Sequence, residues 1–283
     1  MKVSGMARRS RPSLKSGSRS GPGPWTKAVM VLGIMCIIGV IGGLVTYGSF
    51  FNERVEIDKA TNCPIGGPFS RTVILIDQTD TFSRIQTVDI QNQFEAYQKS
   101  VPRYGELVVY AIRPDSQGSP TPIIRACNPG NEDDVNQLVE SSVRVARQWK
   151  NSFDTPMKEI MQAVLQPMSS ENSPIIETIQ SVVVSEFGPV NMNNRAKTLI
   201  VISDLLQHSD VLSHYGRKYD ADSFIQSKAY NKLSADLRDV EVDFLYLYRD
   251  TQKALQNSAH RDFWMRLIQE QGGSVRRIYS VSG

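Results

Sequence analysis

The chain has 283 residues and a formal net charge of +3, with 40% hydrophobic and 22% charged side chains. This composition excludes a largely disordered or collagen-like protein, and the length is ample for a sizeable buried core. Residues 1–51 carry seven Lys or Arg and no acidic residue, whereas residues 52–283 hold 25 basic and 29 acidic side chains, a net charge of −4. The positive charge therefore belongs to the N-terminal part, and we expect no nucleic-acid partner for the remainder.

Residues 28–51 form an uncharged run of 24 residues, AVMVLGIMCIIGVIGGLVTYGSFF. At about 1.5 Å per residue, a helix of this length exceeds the roughly 30 Å hydrocarbon core of a bilayer. A cleaved signal peptide would have a shorter apolar region followed by small residues, but this run ends with the bulky Tyr47, Phe50 and Phe51. We therefore predict a retained transmembrane helix that anchors the chain in the lipid bilayer.

The flanks of this run predict its orientation. The basic tail, residues 1–27, should lie in the cytoplasm as a disordered segment, because positive charge is retained on that side. The protein is then a single-pass cell (inner) membrane protein with a periplasmic or extracellular C-terminal domain. Gly39 and Gly43 have the GxxxG spacing that lets two membrane helices approach closely. A homodimer through these glycines is one expectation, and the general abundance of glycine in membrane helices is the alternative.

The rest of the chain alternates between strand and helix patterns. Residues 52–71 contain several Pro and Gly and are predicted to be a linker, followed by an α/β domain at 72–283. The apolar run at 72–76 ends at Asp77 and predicts a strand buried on both faces, and Ser83 is placed to cap a helix that reaches about Lys99. Further strands are predicted at 107–112, 123–126, 198–204, 240–248 and 275–279, and helices at 135–153, 154–165, 175–186, 222–238 and 260–271.

Helices between parallel strands indicate a doubly wound, Rossmann-like, mostly parallel six-stranded sheet flanked by helices. The short link before the third strand predicts that this strand is antiparallel. The region around 134–168 is predicted to be a helical insertion.

Two of the apolar strands end in an aspartate, at Asp77 and at Asp204. The first is followed by Thr79 and Thr81, which complete a D-x-T-x-T pattern on one tight loop. Ligands of open α/β sheets bind at the carboxyl ends of strands, where the strand order reverses. Carboxylate and hydroxyl oxygens are ligands for Mg²⁺, Mn²⁺ or Ca²⁺, so these residues are a candidate divalent-cation site.

In these motifs the sequence resembles a von Willebrand factor A-like (vWA) domain with its metal-ion-dependent adhesion site (MIDAS). The resemblance implies that Asp77, Thr79, Thr81 and Asp204 are metal ligands, together with Ser173 at the entry of a helix, where the family uses threonine. Leu205 departs from the pattern, since many family members have glycine there. The implied function is a membrane-anchored module of a cell-envelope assembly. Through the cation it would bind a protein partner that offers an acidic residue, without catalysis.

Other interpretations of these residues stay open. Asp77 and Asp204 could cap turns, and the hydroxyl residues could cap a helix without metal. A metal-dependent hydrolase or nuclease could gather Asp77, Asp80, Glu177 and Asp204 around two cations, although the acidic domain disfavours a nuclease. A purely structural envelope component with a degenerate metal site is the third alternative. The three histidines of the chain lack the spacing of a zinc site: His208, His214 and His260.

Cys63 and Cys127 are the two cysteines outside the membrane run. Cys63 precedes the first strand, and Cys127 follows a third strand that runs antiparallel to the second. Both should therefore lie at the same lower edge of the sheet, opposite the candidate metal site. The topology predicts a disulfide between them.

Overall fold

A computed structural model describes residues 23–51, 55–59, 61–79, 81–113, 120–131, 134, 141–166, 168, 170, 172–189, 192–216 and 220–281. The chain divides into two compact units, residues 1–54 and residues 55–283. Several sequence predictions fall outside the described residues: most of the basic tail, Asp80, and the start of the helix predicted from residue 135.

The first unit contains one long helix, α1 (Pro24–Phe51). Its segment Pro24–Thr46 has a mean hydropathy of 2.7 and is long and apolar enough to cross a membrane. Apart from its chain neighbours and the backbone of its own helix, a Cβ added at Gly39 or Gly43 would meet no described atom within 4 Å, so both positions are open on the helix surface. The homodimer through these positions, the orientation of the helix and the boundaries of the tail and linker stay predictions.

The second unit is built on a six-stranded sheet with the order β3-β2-β1-β4-β5-β6. Every strand pair is parallel except β2–β3, which is antiparallel. The predicted doubly wound α/β fold and the direction of the third strand are therefore confirmed. The strands are β1 (Ser70–Asp77), β2 (Glu106–Ile112), β3 (Ile124–Cys127), β4 (Ala196–Ser203), β5 (Val240–Leu247) and β6 (Ser274–Val281).

The helices of this unit are α2 (Arg84–Ser100), α3 (Ser142–Trp149), α4 (Thr155–Val164), α5 (Ile175–Phe187), α6 (Ala221–Ile225), α7 (Tyr230–Leu233) and α8 (Ser258–Glu270). Two predictions are corrected. A new helix does not start at Asp154, because this residue is helical, makes no capping bond and ends a π-helical turn (Lys150–Asp154) that connects α3 to α4. The single helix predicted at 222–238 is two short helices, and Ser234 after α7 is extended.

Strand β1 is buried along its whole length because helices cover both faces of the sheet. Val73 and Leu75 pack into one apolar core with α5 and α8, whereas Ile74 and Ile76 pack into the other with α2 and α4. This alternation is the period of two expected of a central strand. The continuous β-branched run therefore packs into two cores at once and places Asp77 at the end of a strand that is buried along its whole length.

Cys63 and Cys127 form a disulfide with a Cα–Cα distance of 5.0 Å. Cys127 is opposite Glu106 in the β2–β3 pair, so the bridge lies at the amino-terminal end of β2. The Cys127 amide also donates to the carbonyl of Thr61 over 3.5 Å. The bridge thus attaches the segment that precedes β1 to the lower edge of the sheet, opposite the strand ends that carry Asp77 and Asp204.

A candidate metal and interaction site at the switch point of the sheet

Asp77 is the centre of a buried cluster of hydroxyl groups. Its Oδ1 accepts hydrogen bonds from the Thr79 amide at 3.0 Å and the Thr79 hydroxyl at 2.6 Å. Its Oδ2 accepts from the Ser203 hydroxyl at 2.7 Å and the Ser173 hydroxyl at 3.2 Å. Both carboxylate oxygens are therefore held by neutral donors, and only 3% of the residue is exposed.

The sheet topology explains why these groups meet. The chain proceeds from β1 to β2 on one side and later returns to place β4 on the other side of β1. The carboxyl ends of β1 and β4 thus enclose the switch point, the usual ligand position in such sheets. Asp77 ends β1 and Ser203 ends β4, which sets the two side chains side by side.

Ser173 reaches the cluster from the loop before α5. Its amide donates to the His208 carbonyl at 2.8 Å, and the His208 amide donates back to the Ser173 carbonyl at 3.0 Å. This reciprocal pair fixes the loop before α5 against the loop after β4. Of the sequence-predicted residues, Thr79 and Ser173 are therefore both in direct contact with Asp77.

Arg249, which no sequence motif predicts, connects Asp204 and Thr81 at the site. The Arg249 guanidinium donates from Nε to Asp204 Oδ2 over 3.1 Å and from Nη1 to the Thr81 carbonyl. The other oxygen of Asp204, Oδ1, accepts the Leu206 amide at 2.9 Å. Arg249 thus ties the loop after β5 to the loops after β1 and β4.

Gln256 holds Arg249 and Asp204 in this arrangement. Its side-chain nitrogen Nε2 donates to the Asp204 carbonyl at 3.1 Å and to the Leu247 carbonyl at 2.8 Å. Its side-chain oxygen Oε1 accepts from the Arg249 backbone amide at 2.7 Å. The side chain is almost fully buried. One glutamine therefore satisfies three backbone groups where two strand ends approach each other.

The residue after Asp204 has an unusual backbone. Leu205 has φ +59°, in the left-handed region that favours glycine, and its side chain is buried. Three ring nitrogens converge on its carbonyl: His260 Nε2 at 2.9 Å, Trp264 Nε1 at 3.0 Å and His214 Nδ1 at 3.1 Å. This clamp of one indole and two imidazole rings, together with the buried leucine side chain, offsets the cost of a left-handed non-glycine residue beside the site.

The clamp brings together two histidines that are far apart in the sequence. Burial, with a smaller contribution from the nearby His260, lowers the pKa of His214 to about 3. Burial also lowers the pKa of His260 to about 4. Each neutral imidazole carries one N–H, and His260 Nε2 and His214 Nδ1 lie 3.0 Å from each other beside the Leu205 carbonyl, while His260 Nδ1 is 2.6 Å from the Tyr246 hydroxyl. The histidine pair is therefore a neutral support beneath the site.

The cluster offers the oxygen ligands that a hard divalent cation binds. Thr79 and Ser173 donate their hydroxyl protons to Asp77, so the lone pairs of these oxygens can face a cation. Asp77 supplies negative charge at the centre, and the exposed Thr81 is on the adjoining loop. Asp204 differs, because it already has a cationic partner in Arg249. The residues around Asp77 thus fit a cation, and Asp204 could contribute only if its ion pair changed.

Glu177, which the hydrolase or nuclease interpretation would place at a metal, has other partners. Glu177 accepts from the Ser209 hydroxyl at 2.5 Å and from Gln207 Nε2 at 3.0 Å, which fixes its carboxylate beside α5. Asp80 lies outside the described residues. Cys63, Glu106 and Cys127 lie close enough together to suggest a metal site, but both sulfurs are in the disulfide and offer no thiolate.

Neither a protein-family model nor a curated protein matches the sequence. Among solved structures, the chain is similar to the VWA domain of SpRpn10, at 12% identity and a TM-score of 0.41, over 76% of this chain and 88% of that one. It is also similar to an aerotolerance-related membrane protein from Bacteroides fragilis, at 10% identity and a TM-score of 0.35, over 75% and 91%.

A third similar structure is the von Willebrand factor type A protein from Catenulispora acidiphila, at 11% identity and a TM-score of 0.35, over 75% of this chain and 39% of that one. The first and third of these proteins carry the name of the family that the sequence motifs resemble. At these identities the similarities are too distant to transfer a function, so the function proposed below rests on the residues of this chain.

Proposed function

We propose that the domain at 55–283 is a membrane-anchored protein-interaction module that binds an acidic group of a partner protein through a divalent cation. Asp77, Thr79 and Ser173 hold the cation at the switch point, and Thr81 and Asp204 complete its surroundings. The partner carboxylate takes an open coordination position, as hard cations accept oxygen ligands from more than one chain. The domain is part of a cell-envelope assembly, and the proposed action is binding and not catalysis.

The observation that carries this proposal is the orientation of the hydroxyls around Asp77. Two of the predicted ligands, Thr79 and Ser173, come from separate loops and both donate to the same carboxylate. Simple turn-capping would explain Thr79, two residues after Asp77, but it does not explain Ser173, which is 96 residues away. Such convergence at the switch point of the sheet supports a ligand site.

The membrane anchor is the second part of the proposal. Helix α1 is long and apolar enough to span a bilayer, and basic residues precede it. We propose that residues 1–27 are cytoplasmic and that the domain is periplasmic or extracellular. The disulfide between Cys63 and Cys127 supports this side of the membrane, because structural disulfides persist in oxidising compartments.

The test is a capture experiment with the full chain in detergent, applied to membrane extracts of the source cells. Proteins are compared by mass spectrometry after capture with Mg²⁺, after capture with chelator, and with the Asp77→Ala variant. Asp236→Asn is the matched control, since Asp236 is an exposed carboxylate that precedes β5 and pairs with Arg238.

The proposal predicts a partner that is recovered by the wild type and by Asp236→Asn with Mg²⁺, and is lost both with chelator and with Asp77→Ala. Recovery of the same proteins under all four conditions would contradict it. A reporter fused to the C-terminus and active only outside the cytoplasm tests the topology separately.

A further inference from the structure

Arg249 is the one cationic side chain for which the described residues show an ion pair to an aspartate of the candidate site. Its side chain is 14% exposed, and that of its partner Asp204 is 4% exposed. The same guanidinium donates to the Thr81 carbonyl. One positive charge therefore sits among oxygen atoms of two loops that the sequence pattern assigns to a metal.

The pair satisfies a carboxylate that is otherwise costly to bury. A buried anion without a partner destabilises a fold far more than an exposed one, because water no longer solvates it. A divalent cation at the site would supply the same compensation to Asp204. Both cations would hold the same loops together, so they have equivalent structural roles and compete for one carboxylate oxygen.

The backbone of Arg249 is held separately from its guanidinium. Its backbone amide is held by Gln256, and the backbone is extended, with φ −113° and ψ 115°. The guanidinium is at the end of a flexible side chain that is partly open to solvent. Rotation about side-chain bonds would therefore release the ion pair with Asp204 while Gln256 continues to hold the Arg249 backbone amide.

We propose that Arg249 is a built-in cation that replaces the divalent metal at Asp204, so that metal and guanidinium are alternative partners of this carboxylate. The site is held together by Arg249 when metal is absent, and binding of metal with Asp204 as a ligand requires release of the ion pair. Arg249 thereby weakens metal affinity and preserves the fold of the metal-free domain. This inference rests on the proposed function, because it concerns the same site.

The test combines calorimetry with thermal unfolding of the full chain in detergent, using Mg²⁺ and Mn²⁺ as probes. In Arg249→Gln without metal, loss of the ion pair from the buried Asp204 carboxylate should lower Tm by roughly 5–10 °C. Millimolar Mg²⁺ should restore most of this loss, and the variant should bind Mn²⁺ at least about ten-fold more tightly than the wild type. The double variant Asp204→Asn/Arg249→Gln should lose the Mg²⁺ rescue.

Arg113→Gln is the matched control, because Arg113 follows β2 at the same edge of the sheet and donates to Gln78 Oε1 over 2.9 Å. It should show neither the rescue nor the tighter binding. Equal metal affinity in wild type and Arg249→Gln, or rescue that persists in the double variant, would overturn the inference and leave the metal proposal intact. Failure of every variant and of the wild type to bind metal would overturn both.

Discussion

The Ser203 hydroxyl donates to Asp77 Oδ2 over 2.7 Å and accepts the Leu205 amide at 2.8 Å. This one side chain joins the ends of β1 and β4 and also holds the loop that follows Asp204. Ser203 has no exposed surface. Asp77 is thus contacted from β4 by Ser203, whereas the sequence motif depends on the next residue, Asp204.

Ser203→Ala should lower the free energy of unfolding by about 1.5–3 kcal/mol, the typical contribution of a hydrogen bond to a charged group. The variant also leaves the buried Leu205 amide without its acceptor. Urea denaturation of the full chain in detergent measures the change. Ser181→Ala is the control, since Ser181 is partly exposed on α5, and it should differ little from wild type. A stability of Ser203→Ala within about 0.5 kcal/mol of wild type would contradict the proposed role of the bridge.

The left-handed backbone of Leu205 leads to a prediction about paired substitutions. Replacing the buried Leu205 by alanine or glycine should cost about 2–5 kcal/mol through lost packing. At φ +59°, however, glycine avoids a backbone penalty of roughly 1–2 kcal/mol that alanine bears. Leu205→Gly should therefore be more stable than Leu205→Ala, and the comparison is made by denaturant unfolding.

Leu206 is the control position, because it is equally buried and has an ordinary negative φ. There the order should reverse, with Leu206→Ala more stable than Leu206→Gly by about 0.5–1 kcal/mol. The same order at both positions would show that the left-handed conformation is not a property of the protein in solution.

The histidine clamp predicts a loss of stability in acid. The folded-state pKa values of His214 and His260, about 3 and about 4, lie below the ordinary value of 6.5. The unfolded chain therefore binds protons first, and stability should fall as the pH drops from about 6.5 towards 4. A difference of one between the folded-state and unfolded-state pKa of a histidine corresponds to about 1.4 kcal/mol. The pair should therefore contribute several kcal/mol across this range.

Urea denaturation between pH 7.5 and 4.5 measures this slope. His214→Phe keeps an aromatic ring against Phe263 and Trp264 but removes one of the two protonation sites, so its pH dependence should be flatter than that of wild type. His208→Gln is the control, as His208 is partly exposed and contacts Ser213. An identical slope in wild type and His214→Phe would contradict the neutral, buried state of the pair.

The fold was largely predictable because its strands carry strong local signals. A central strand covered on both faces needs a continuous apolar run, and such runs end abruptly where the chain leaves the core at Asp77 and Asp204. The short helices α6 and α7 were predicted as one continuous helix. Ser234 is extended, yet the polar residues around it look equally compatible with a helix in the sequence.

The part of the site that could not be predicted depends on contacts between distant loops. Arg249, Gln256 and Ser203 belong to no motif, and their roles arise from side chains that reach across the switch point. His214 and His260 are 46 residues apart and meet only because α8 packs beside the loop after β4. Leu205 stands where many members of the resembling family have glycine. This was the one sequence signal for the histidine clamp, since a leucine in a left-handed conformation needs stabilising contacts.

The disulfide should stabilise the domain by restricting the unfolded chain. Cys63 and Cys127 are 64 residues apart, and the chain-entropy relation for a loop of this length gives about 4 kcal/mol as an upper figure. Cys127→Ser should reduce the free energy of unfolding by about 2–4 kcal/mol. Cys36→Ser, in the apolar helix, is the control. Mass spectrometry after alkylation without reduction should find the thiols of both bridge cysteines protected in wild type, and free thiols at both would exclude the bridge.

The most direct test of the proposed function is calorimetric titration of the full chain in detergent with Mg²⁺ and Mn²⁺. One saturable site is expected in the wild type and in the Asp236→Asn control. No binding is expected in Asp77→Ala, in which the carboxylate that orients Thr79 and Ser173 is absent. Circular dichroism would verify that this variant remains folded. Absence of divalent-cation binding to the wild type at millimolar metal, or undiminished binding in Asp77→Ala, would contradict a divalent-cation site at Asp77.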